Sequence, residues 1–384
     1  MTNSQNDEGL NFSDSNTEPT TSEKEILPEN EKTTKKKLKK WQKILIIILC
    51  ILLSAVILLV GSFYTLWLIG RAKMLNKDVV IKPDKTINVQ IEDDNTVIYN
   101  GSRYKYNENI TSVLCMGIDN YEDSTGPSAG IGKAGQTDAL YLLVIDTATG
   151  KVSALAIPRD TIAEVDIYSK SGSYSGVKKT QICLAFAYGD GKEKSCENVI
   201  RSVSRLLYGM PISSYFAIDY RSLKNIHNAV GTLTVKPNEA LKISYSNRTD
   251  TTAKGFPYKI TEANIEAYLR ARNKTDINAA YLRMERQIDY LKQYSAVAFS
   301  KTKEDITFPI KIYNKIIDNS ITDIDPAKIT FLASCAVKNS SNIKLDVAKL
   351  NGEYTIGDDG FAELTLDTQK TFDTVISLFY QKVG

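Results

Sequence analysis

The sequence predicts an α/β protein in which helices sandwich a mixed central β-sheet, behind a single N-terminal transmembrane helix. Three observations predict this architecture. An apolar run without charged residues occupies 44–70. Short apolar segments follow within 110–160, and such segments are typical of strands that are buried on both faces of a sheet. Amphipathic helix patterns then alternate with further strands, as in α/β proteins.

The N-terminal tail, residues 1–43, is predicted to be cytoplasmic and disordered. Its first part is polar and acidic and has few large apolar side chains, so it cannot bury a core. Lysines are concentrated from Lys32 to Lys43, before the apolar run 44–70, which is long enough to cross a bilayer. By the positive-inside rule we expect a retained single-pass anchor in the cell membrane, with everything after Gly70 outside the cell.

Three regions are predicted to follow the anchor. Residues 71–109 are expected to form an extracytoplasmic stalk with short strands, and the Asn-Gly pair at 100–101 predicts a β-hairpin there. Residues 110–300 are the predicted main domain. Residues 301–384, in which short helices and strands alternate, are the predicted C-terminal extension packed on that domain.

The main domain is predicted to alternate strands and helices after an initial hairpin. Its predicted strands are “TSVLCMGID”, “TDALYLLVID”, “KVSALAIPRD”, “SYFAIDY” and “TLTV”. Its predicted helices are “TQICLAFAYG”, “KEKSCENVIRSVSRLLYG”, “RSLKNIHNAVG”, “TEANIEAYLRAR” and “INAAYLRMERQIDYLKQYSAVAFSK”. Thr261 is the expected N-cap of the fourth helix.

The composition argues against several classes of protein. The chain has 48 Lys+Arg and 45 Asp+Glu, so it offers no broad basic surface for nucleic acid. The single histidine, His227, lies on an amphipathic helix, and no GxSxG motif is present, which argues against a His-dependent hydrolase. Cys183 and Cys196 can form a disulfide or remain buried thiols, and no CxxC motif predicts a zinc site.

Charged residues stand at the ends of the first three strands of the main domain. Asp119 ends the first strand, Asp138 begins the second, and Arg159 and Asp160 end the third. Because neighbouring strands share an edge, these side chains can meet where open α/β sheets bind ligands. The alternative is that Arg159 and Asp160 form a solvated ion pair at a surface turn.

Further arginines follow in two helices. Arg270 and Arg272 are two residues apart, so both can serve one site only if the helix ends near Arg270. Arg283, Arg286 and Gln287 share one helix face, although a solvated stripe has the same spacing. Arginines gathered near carboxylates suggest a clamp on phosphate oxygens together with a hard metal ion.

The order of these segments resembles the LytR-CpsA-Psr (LCP) family. The resemblance covers roughly residues 110 to 295 and rests on “VLCMGID”, “GQTDALYLLVIDTATGKVSALAIPRDT”, “AFAYGDG”, “YGMPISSYFAIDY” and “YLRAR…RMERQ”. It implies an LCP-type α/β/α catalytic domain in a membrane-anchored phosphotransferase of Gram-positive-type bacteria. Such an enzyme would move a teichoic acid or capsular polysaccharide from a polyprenyl-pyrophosphate carrier to a peptidoglycan hydroxyl.

The resemblance also implies roles for individual residues. The matching positions are the magnesium-site carboxylates Asp119 and Asp138, the pyrophosphate-binding arginines Arg159, Arg270 and Arg272, and Gln287, a polar residue near the head group. Asp119, Asp138 and Arg159 would carry catalysis with Mg²⁺ as cofactor. The apolar strands and their covering helices would enclose the prenyl tail.

The chain departs from the family at several positions. Gln136 stands where many members have Arg, and Asn120 and Tyr121 stand where Arg often follows the first aspartate. Cys183 completes a “QIC” segment where many members have “KIN”. Two cationic positions are missing, so turnover or the identity of the polymer can differ from other members.

Two alternative functions remain open at this point. The first is a non-catalytic ectodomain that binds the polyprenyl-pyrophosphate precursor and acts as a regulator or scaffold. The second is a pyrophosphatase that acts on the same lipid and uses water as the acceptor. Measurements of phosphate release would separate an enzyme from a binding protein.

Overall fold

The computed structural model describes residues 39–75, 78–93, 95–119, 135–169, 171–273, 276–338 and 345–383. The helices are α1 (Lys40–Leu75), α2 (Glu193–Leu206), α3 (Tyr220–Val230), α4 (Ile265–Arg270), α5 (Ala279–Glu304), α6 (Phe308–Ile316), α7 (Pro326–Lys338) and α8 (Thr368–Phe379). Short 3₁₀ turns are formed by Ile182–Ala185 and Ile317–Asn319.

The strands are short, and they fall into several separate sheets. In chain order they are β1 (Val89–Asp93), β2 (Thr96–Tyr99), β3 (Ser102–Tyr106), β4 (Ile110–Ile118), β5 (Thr137–Asp146), β6 (Val152–Ala156), β7 (Ile162–Tyr168), β8 (Tyr174–Gln181), β9 (Ser214–Ile218), β10 (Leu233–Val235), β11 (Lys242–Tyr245), β12 (Arg248–Thr251), β13 (Tyr258–Ile260), β14 (Ser320–Thr322), β15 (Asp346–Lys349), β16 (Gly352–Ile356), β17 (Ala362–Leu366) and β18 (Tyr380–Lys382).

A six-stranded mixed sheet forms the centre of the protein, as the sequence predicts. Its strand order is β14-β9-β4-β5-β6-β15. β4, β5 and β6 are successive antiparallel neighbours, whereas β9 runs parallel to β4 and β15 parallel to β6. The C-terminal end of β4, the start of β5 and the C-terminal end of β6 therefore lie at one edge of the sheet.

Helices cover both faces of the central sheet. Because successive side chains of a strand point to opposite faces, Leu114 enters the main core while its neighbour Val113 packs with Phe331 of α7. The main core includes residues of α2 and α8. On the second face, Ala156 of β6 packs with Met284 of α5. The predicted α/β/α sandwich is confirmed.

Residues after position 300 contribute to three sheets, one of which is the hairpin β16–β17. They supply β14 and β15, the edge strands of the central sheet, and β18, which pairs with β3. The short strands expected between 71 and 109 are β1, β2 and β3, and they join β18 in a four-stranded sheet. The boundaries of the stalk, main domain and C-terminal extension stay predictions.

The hairpin predicted at residues 100–101 is present. Tyr99 at the end of β2 pairs with Ser102 at the start of β3. Asn100 and Gly101 both have positive φ, 48° and 70°. A two-residue turn of this kind matches the right-handed twist of the flanking strands, which is why Asn-Gly predicts it.

The helix predicted over “TQICLAFAYG” is wrong. Thr180 and Gln181 end β8, and only the single 3₁₀ turn 182–185 follows. The chain then turns at Gly189, which lies so close to Ser195 that a side chain at 189 would collide with it. The β7–β8 hairpin that precedes this turn was not predicted from the sequence.

The helix predicted from Thr261 starts later than expected. Its first residue is Ile265, because the side chain of Asn264 accepts a hydrogen bond from the Thr261 backbone N–H at 2.8 Å and closes a turn before the helix. Thr261 is therefore not its N-cap. The expected end near Arg270 is confirmed, since Ala271 adopts an extended conformation with φ −53° and ψ 136°. The long helix predicted from residue 277 is α5.

Helix α1 is the one helix in the described part of the chain that is long and apolar enough to cross a membrane. Its C-terminal turns pack on α7 within the folded unit that begins at Leu58. The Trp67 indole N–H donates to Ser334 Oγ at 2.9 Å, and Met74 is buried. At Gly70 the helix backbone lies against the carbonyl group of Ala327, where a Cβ atom would collide.

Replacing Gly70 by leucine is expected to destabilise the protein by separating α1 from α7. Overpacking of this kind costs about 1–3 kcal/mol, and the colliding atom here is backbone, which cannot rotate away. Gly61→Leu is the matched control in the same helix, because no atom lies within 4 Å of a Cβ at that position. Thermal unfolding of the full chain in detergent measures the melting temperature of both variants. Equal melting temperatures would contradict the contact between Gly70 and α7.

The candidate disulfide is not formed, and the histidine packs in the interior. Cys183 and Cys196 are separate buried thiols. His227 is buried on α3, and its Nδ1 lies 3.1 Å from the hydroxyl of Tyr290. Burial lowers the pKa of His227 from its usual value.

Acidification below about pH 6.5 is therefore expected to destabilise the protein through His227. The unfolded chain takes up a proton there while the folded imidazole stays neutral, so stability falls as the pH drops toward the lower folded pKa. No other histidine occurs in the chain. His227→Phe should flatten the dependence of the unfolding free energy on pH between about 5 and 7, measured by urea denaturation. An unchanged slope would show that other groups cause it.

Candidate active site

A cavity of about 1220 Å³ opens at the sheet edge where the charged strand ends converge. Asp119, Asp138, Arg159 and Asp160 all line it, so the predicted convergence is observed. The hairpins β11–β12 and β16–β17 and the helices α3, α4 and α5 contribute the remaining walls. Antiparallel pairing causes the convergence, because it places the end of β4 beside the start of β5 and the end of β6.

Asp119 and Gln136 are joined across the ends of β4 and β5. The Gln136 backbone N–H donates to Asp119 Oδ1 at 2.7 Å, and the Asp119 backbone N–H donates to the Gln136 carbonyl at 3.1 Å. This pair fixes the carboxylate of Asp119 at the cavity. Asn120 and Tyr121, which depart from the family pattern, lie outside the described residues.

Asp138 is held by two arginines. Its Oδ1 accepts a hydrogen bond from Nη1 of Arg159, and its Oδ2 accepts one from Nη1 of Arg283 at 3.0 Å. The side chains of Asp138 and Arg159 are each 16% exposed, and that of Arg283 is 4% exposed. The floor of the cavity is therefore a buried network of one carboxylate between two guanidinium groups, where charge interactions are weakly screened.

The alternative prediction, that Arg159 and Asp160 form a solvated ion pair at the surface, is wrong. Asp160 is 6% exposed, and its Oδ1 lies 3.3 Å from Nε of Arg159. Nη2 of Arg159 donates to Gln136 Oε1 at 2.6 Å and to Cys183 Sγ at 3.3 Å. The guanidinium group is thus surrounded by protein partners at the floor of the cavity.

Asp160 is the carboxylate of the floor whose proton affinity is raised. Burial raises its pKa above the usual value, against the opposing charges of Arg159, Arg283 and Arg272. A carboxylate with a raised pKa is a stronger base than an exposed one. Asp160 can therefore accept a proton from a group bound in the cavity.

Helix α5 holds the end of α4 through Arg286 and Gln287. The buried guanidinium of Arg286 donates to the carbonyl groups of Tyr268, at 3.0 Å, and Ala271. Nε2 of Gln287 donates to the Leu269 carbonyl at 3.1 Å. These bonds satisfy carbonyl groups that a helix leaves without intrahelical partners at its C-terminus. The solvated stripe considered for this face of α5 is therefore wrong.

Arg270 and Arg272 lie at the exposed part of the cavity wall. Both are exposed and line the cavity, and Arg270 forms an ion pair with Glu266 at 3.1 Å. The end of α4 at Arg270 satisfies the condition under which both arginines can serve one site. An anion that enters the cavity would meet these two arginines at the mouth and Arg159 at the floor.

Arg283, rather than Gln287, is the residue of this α5 face that lines the cavity. Gln287 is not among the cavity-lining residues in the described part of the chain, and its Oε1 accepts from the Tyr141 hydroxyl at 3.1 Å. Both residues share this helix face in the sequence, and the resemblance to the family implies the head-group role for Gln287. The sequence signal for Arg283 as a cavity residue is its position one helical turn before Gln287, on the same face of the helix. The predicted role of Gln287 stays a prediction.

Basic and acidic residues balance along the cavity. Among the residues that the structure describes, six of each line it: Arg159, Lys224, Lys242, Arg270, Arg272 and Arg283, with Asp119, Asp138, Asp160, Glu266, Asp276 and Asp359. Anion binding here depends on the placement of the guanidinium groups rather than on net charge. No cluster of three or more metal-ligating side chains occurs among the residues that the structure describes.

The fold and this arginine–carboxylate cavity define the class of protein. The model of the LytR_cpsA_psr family matches residues 74–376. The chain therefore belongs to the LytR-CpsA-Psr family, as the resemblance of its motifs predicts. The matched region includes the central sheet, the cavity and most of the segment after residue 300.

Individual members of the family are similar to the chain over part of its length. It is 27% identical, over 241 residues, to a Bacillus subtilis (strain 168) protein named polyisoprenyl-teichoic acid–peptidoglycan teichoic acid transferase TagV. The match covers 61% of this chain and 50% of that relative, so the chain spans about half the length of the curated relative it matches.

Solved structures of two such proteins share the fold. The crystal structure of B. subtilis TagV matches with a TM-score of 0.54 and 23% identity, covering 70% of this chain and 96% of that one. Protein gbs0355 from Streptococcus agalactiae matches with a TM-score of 0.55 and 21% identity, covering 70% and 87%. These likenesses show the α/β/α fold.

Proposed function

We propose that the chain is a membrane-anchored phosphotransferase that acts outside the cell. Its donor is an anionic glycopolymer, of the teichoic acid or capsular polysaccharide type, on a polyprenyl-pyrophosphate carrier, and its acceptor is peptidoglycan. The observation that carries the proposal is the cavity, which Asp119, Asp138 and Arg159 line together with the exposed Arg270 and Arg272. The name of the similar TagV protein supports the same class of reaction.

In this reaction the main task of the protein is to stabilise the charge on the transferring phosphoryl group, and no covalent enzyme intermediate is needed. The oxygen of the acceptor hydroxyl forms a bond to the phosphorus that carries the glycan, the P–O bond of the diphosphate bridge breaks, and polyprenyl phosphate leaves. Arg159 and Arg283 stand at the floor, where their positive charges can stabilise the negative charge of phosphate oxygens. Asp160 lines the same cavity and is the carboxylate that we propose takes the proton of the hydroxyl.

We propose Asp119 and Asp138 as the residues that would hold a magnesium ion. They line one cavity and offer the hard carboxylate oxygens that Mg²⁺ prefers, with water and phosphate oxygens completing its ligands. Bound there, Mg²⁺ would neutralise charge on the diphosphate. Both oxygens of Asp138 accept from arginines in this structure. Asp138 would hold the metal only on giving up one of these arginine bonds.

The anchor sets the side of the membrane on which the reaction would occur. Lysines precede the apolar part of α1, while Arg71 and Lys73 are the basic residues of its last turns. This asymmetry supports a cytoplasmic N-terminus. Protease added to intact protoplasts should degrade the region after Gly70, and complete protection of that region would contradict the topology.

The proposal is tested by transfer of a labelled lipid-linked glycan to peptidoglycan by the full chain in detergent micelles. We expect Mg²⁺-dependent appearance of label in peptidoglycan and release of polyprenyl phosphate. Binding of the lipid without turnover would favour the non-catalytic alternative. Cleavage of the diphosphate without label in peptidoglycan would favour the pyrophosphatase. Absence of binding and turnover together would overturn the proposal.

A further inference from the structure

Gln136 and Cys183 converge on one nitrogen of Arg159. Nη2 of Arg159 donates to Gln136 Oε1 at 2.6 Å and to Cys183 Sγ at 3.3 Å, and the Cys183 thiol donates in turn to Gln136 Oε1 at 4.0 Å. The three residues come from separate parts of the chain, just before β5, after β6 and in the 3₁₀ turn 182–185. Two residues that depart from the family pattern are thus neighbours in space.

The two acceptors satisfy Nη2, a nitrogen of the guanidinium group that Asp138 does not bind. Asp138 accepts from Nη1, and Nη2 has further N–H groups that would lose hydrogen bonds if they were buried without acceptors. With bonds on both Nη1 and Nη2, the plane of the guanidinium group is fixed. A fixed plane matters because it holds the positive charge of Arg159 in one place at the floor of the cavity, where an oxygen of the diphosphate would meet it.

Both acceptors are neutral, which distinguishes them from Asp138. A carboxylate at either position would offset the charge of Arg159 and compete with phosphate for it, and a cation would repel the guanidinium. The carboxamide of Gln136 carries no charge. Burial raises the pKa of the Cys183 thiol to about 11, so the thiol is neutral at physiological pH. The pair can orient Arg159 without reducing its attraction for an anion.

We infer that Gln136 and Cys183 are positioning residues that hold Arg159 in the orientation that binds the diphosphate. The inference rests on the proposed function, because it concerns the same cavity and acts through one of its arginines. Pre-organisation of this kind strengthens binding by removing the cost of ordering the side chain on association. Gln136 is expected to contribute more than Cys183, because sulfur is a weak acceptor.

The test is calorimetric titration of the full chain in detergent micelles with inorganic pyrophosphate in the presence of Mg²⁺. Gln136→Met keeps the length of the side chain and removes the acceptor, so the Kd should rise about tenfold, as for loss of a hydrogen bond to a charged group. Cys183→Ala should raise the Kd by about threefold. Cys183→Ser restores an acceptor and should bind like the wild type.

A double-mutant cycle separates positioning from direct contact. Lysine has no Nη2, so Gln136→Met should change the Kd less than about twofold in an Arg159→Lys background. Cys196→Ala is the matched control, since Cys196 is also a buried thiol and does not line the cavity. Its Kd should equal that of the wild type. Thermal melting checks that each variant folds. If Gln136→Met does not fold, Gln136→Asn is used in its place, because it keeps the carboxamide but shortens the side chain by one methylene.

The outcomes distinguish this inference from the proposed function. Failure of the wild type to bind pyrophosphate would overturn the diphosphate site itself. Tight binding by the wild type together with an unchanged Kd for Gln136→Met would overturn only the positioning role. An equal loss from Gln136→Met in the wild-type and Arg159→Lys backgrounds would show that Gln136 acts on the ligand directly and would also overturn that role.

Discussion

Replacing Asp138 by asparagine is expected to slow glycopolymer transfer by about a hundredfold and to lower the free energy of unfolding by about 3 kcal/mol. The activity falls because a predicted metal ligand is lost. The stability falls because Arg159 and Arg283, 16% and 4% exposed, keep their charges while the anion between them disappears. The sequence alone predicts an effect mainly on activity, and the buried pairs add the effect on stability.

Asp166→Asn is the matched control for this prediction. Asp166 is also a buried carboxylate between two arginines, with Arg201 Nε and Arg205 Nη1 each at 2.7 Å, but it does not line the cavity. Its arginines are more exposed, so we expect a smaller loss of stability and an unchanged transfer rate at temperatures where the protein is folded. Chemical denaturation and the transfer assay measure the two effects separately. A wild-type rate for Asp138→Asn would remove Asp138 from the catalytic set.

The central strands could be predicted because burial leaves a pattern in the sequence. β4, β5 and β6 are buried and apolar, and their charged ends identified one edge of the sheet. β8 is mostly exposed, so no hydrophobic period marks it, and the β7–β8 hairpin was missed. The pairing of β15 with β6 depends on contacts between residues distant in sequence, which composition and periodicity do not encode.

Tertiary packing determines which residue of α5 lines the cavity and which residues bind the end of α4. Helical spacing places Arg283, Arg286 and Gln287 on one face, and all three do make buried or half-buried contacts. The face is wide enough to meet both β5 and the end of α4. Which of its residues reaches the cavity depends on where α4 ends, and the extended conformation of Ala271 sets that point. Spacing alone could not rank Arg283 above Gln287.

Arg159→Lys is expected to slow transfer by about tenfold or more without unfolding the protein. Lysine keeps the positive charge beside Asp138 but loses the planar fork, and a charge-assisted contact of that kind contributes roughly 1.5–3 kcal/mol. Arg270→Lys and Arg272→Lys should also slow transfer. Their effects should combine non-additively with that of Arg159→Lys, because all three arginines are predicted to hold one diphosphate.

Arg201→Lys is the control that distinguishes an arginine that binds the diphosphate from one that only pairs with a buried aspartate. Arg201 likewise binds a buried aspartate, and its Nη2 donates to the hydroxyl of Tyr168 at 2.9 Å, but it does not line the cavity. Loss of a guanidinium fork there should leave transfer unchanged. The measurement is the rate at which each variant transfers a labelled lipid-linked glycan to peptidoglycan, with circular-dichroism melting as the folding check. Wild-type rates for the lysine variants of Arg159, Arg270 and Arg272 would mean that the buried position of Arg159 serves only to neutralise Asp138.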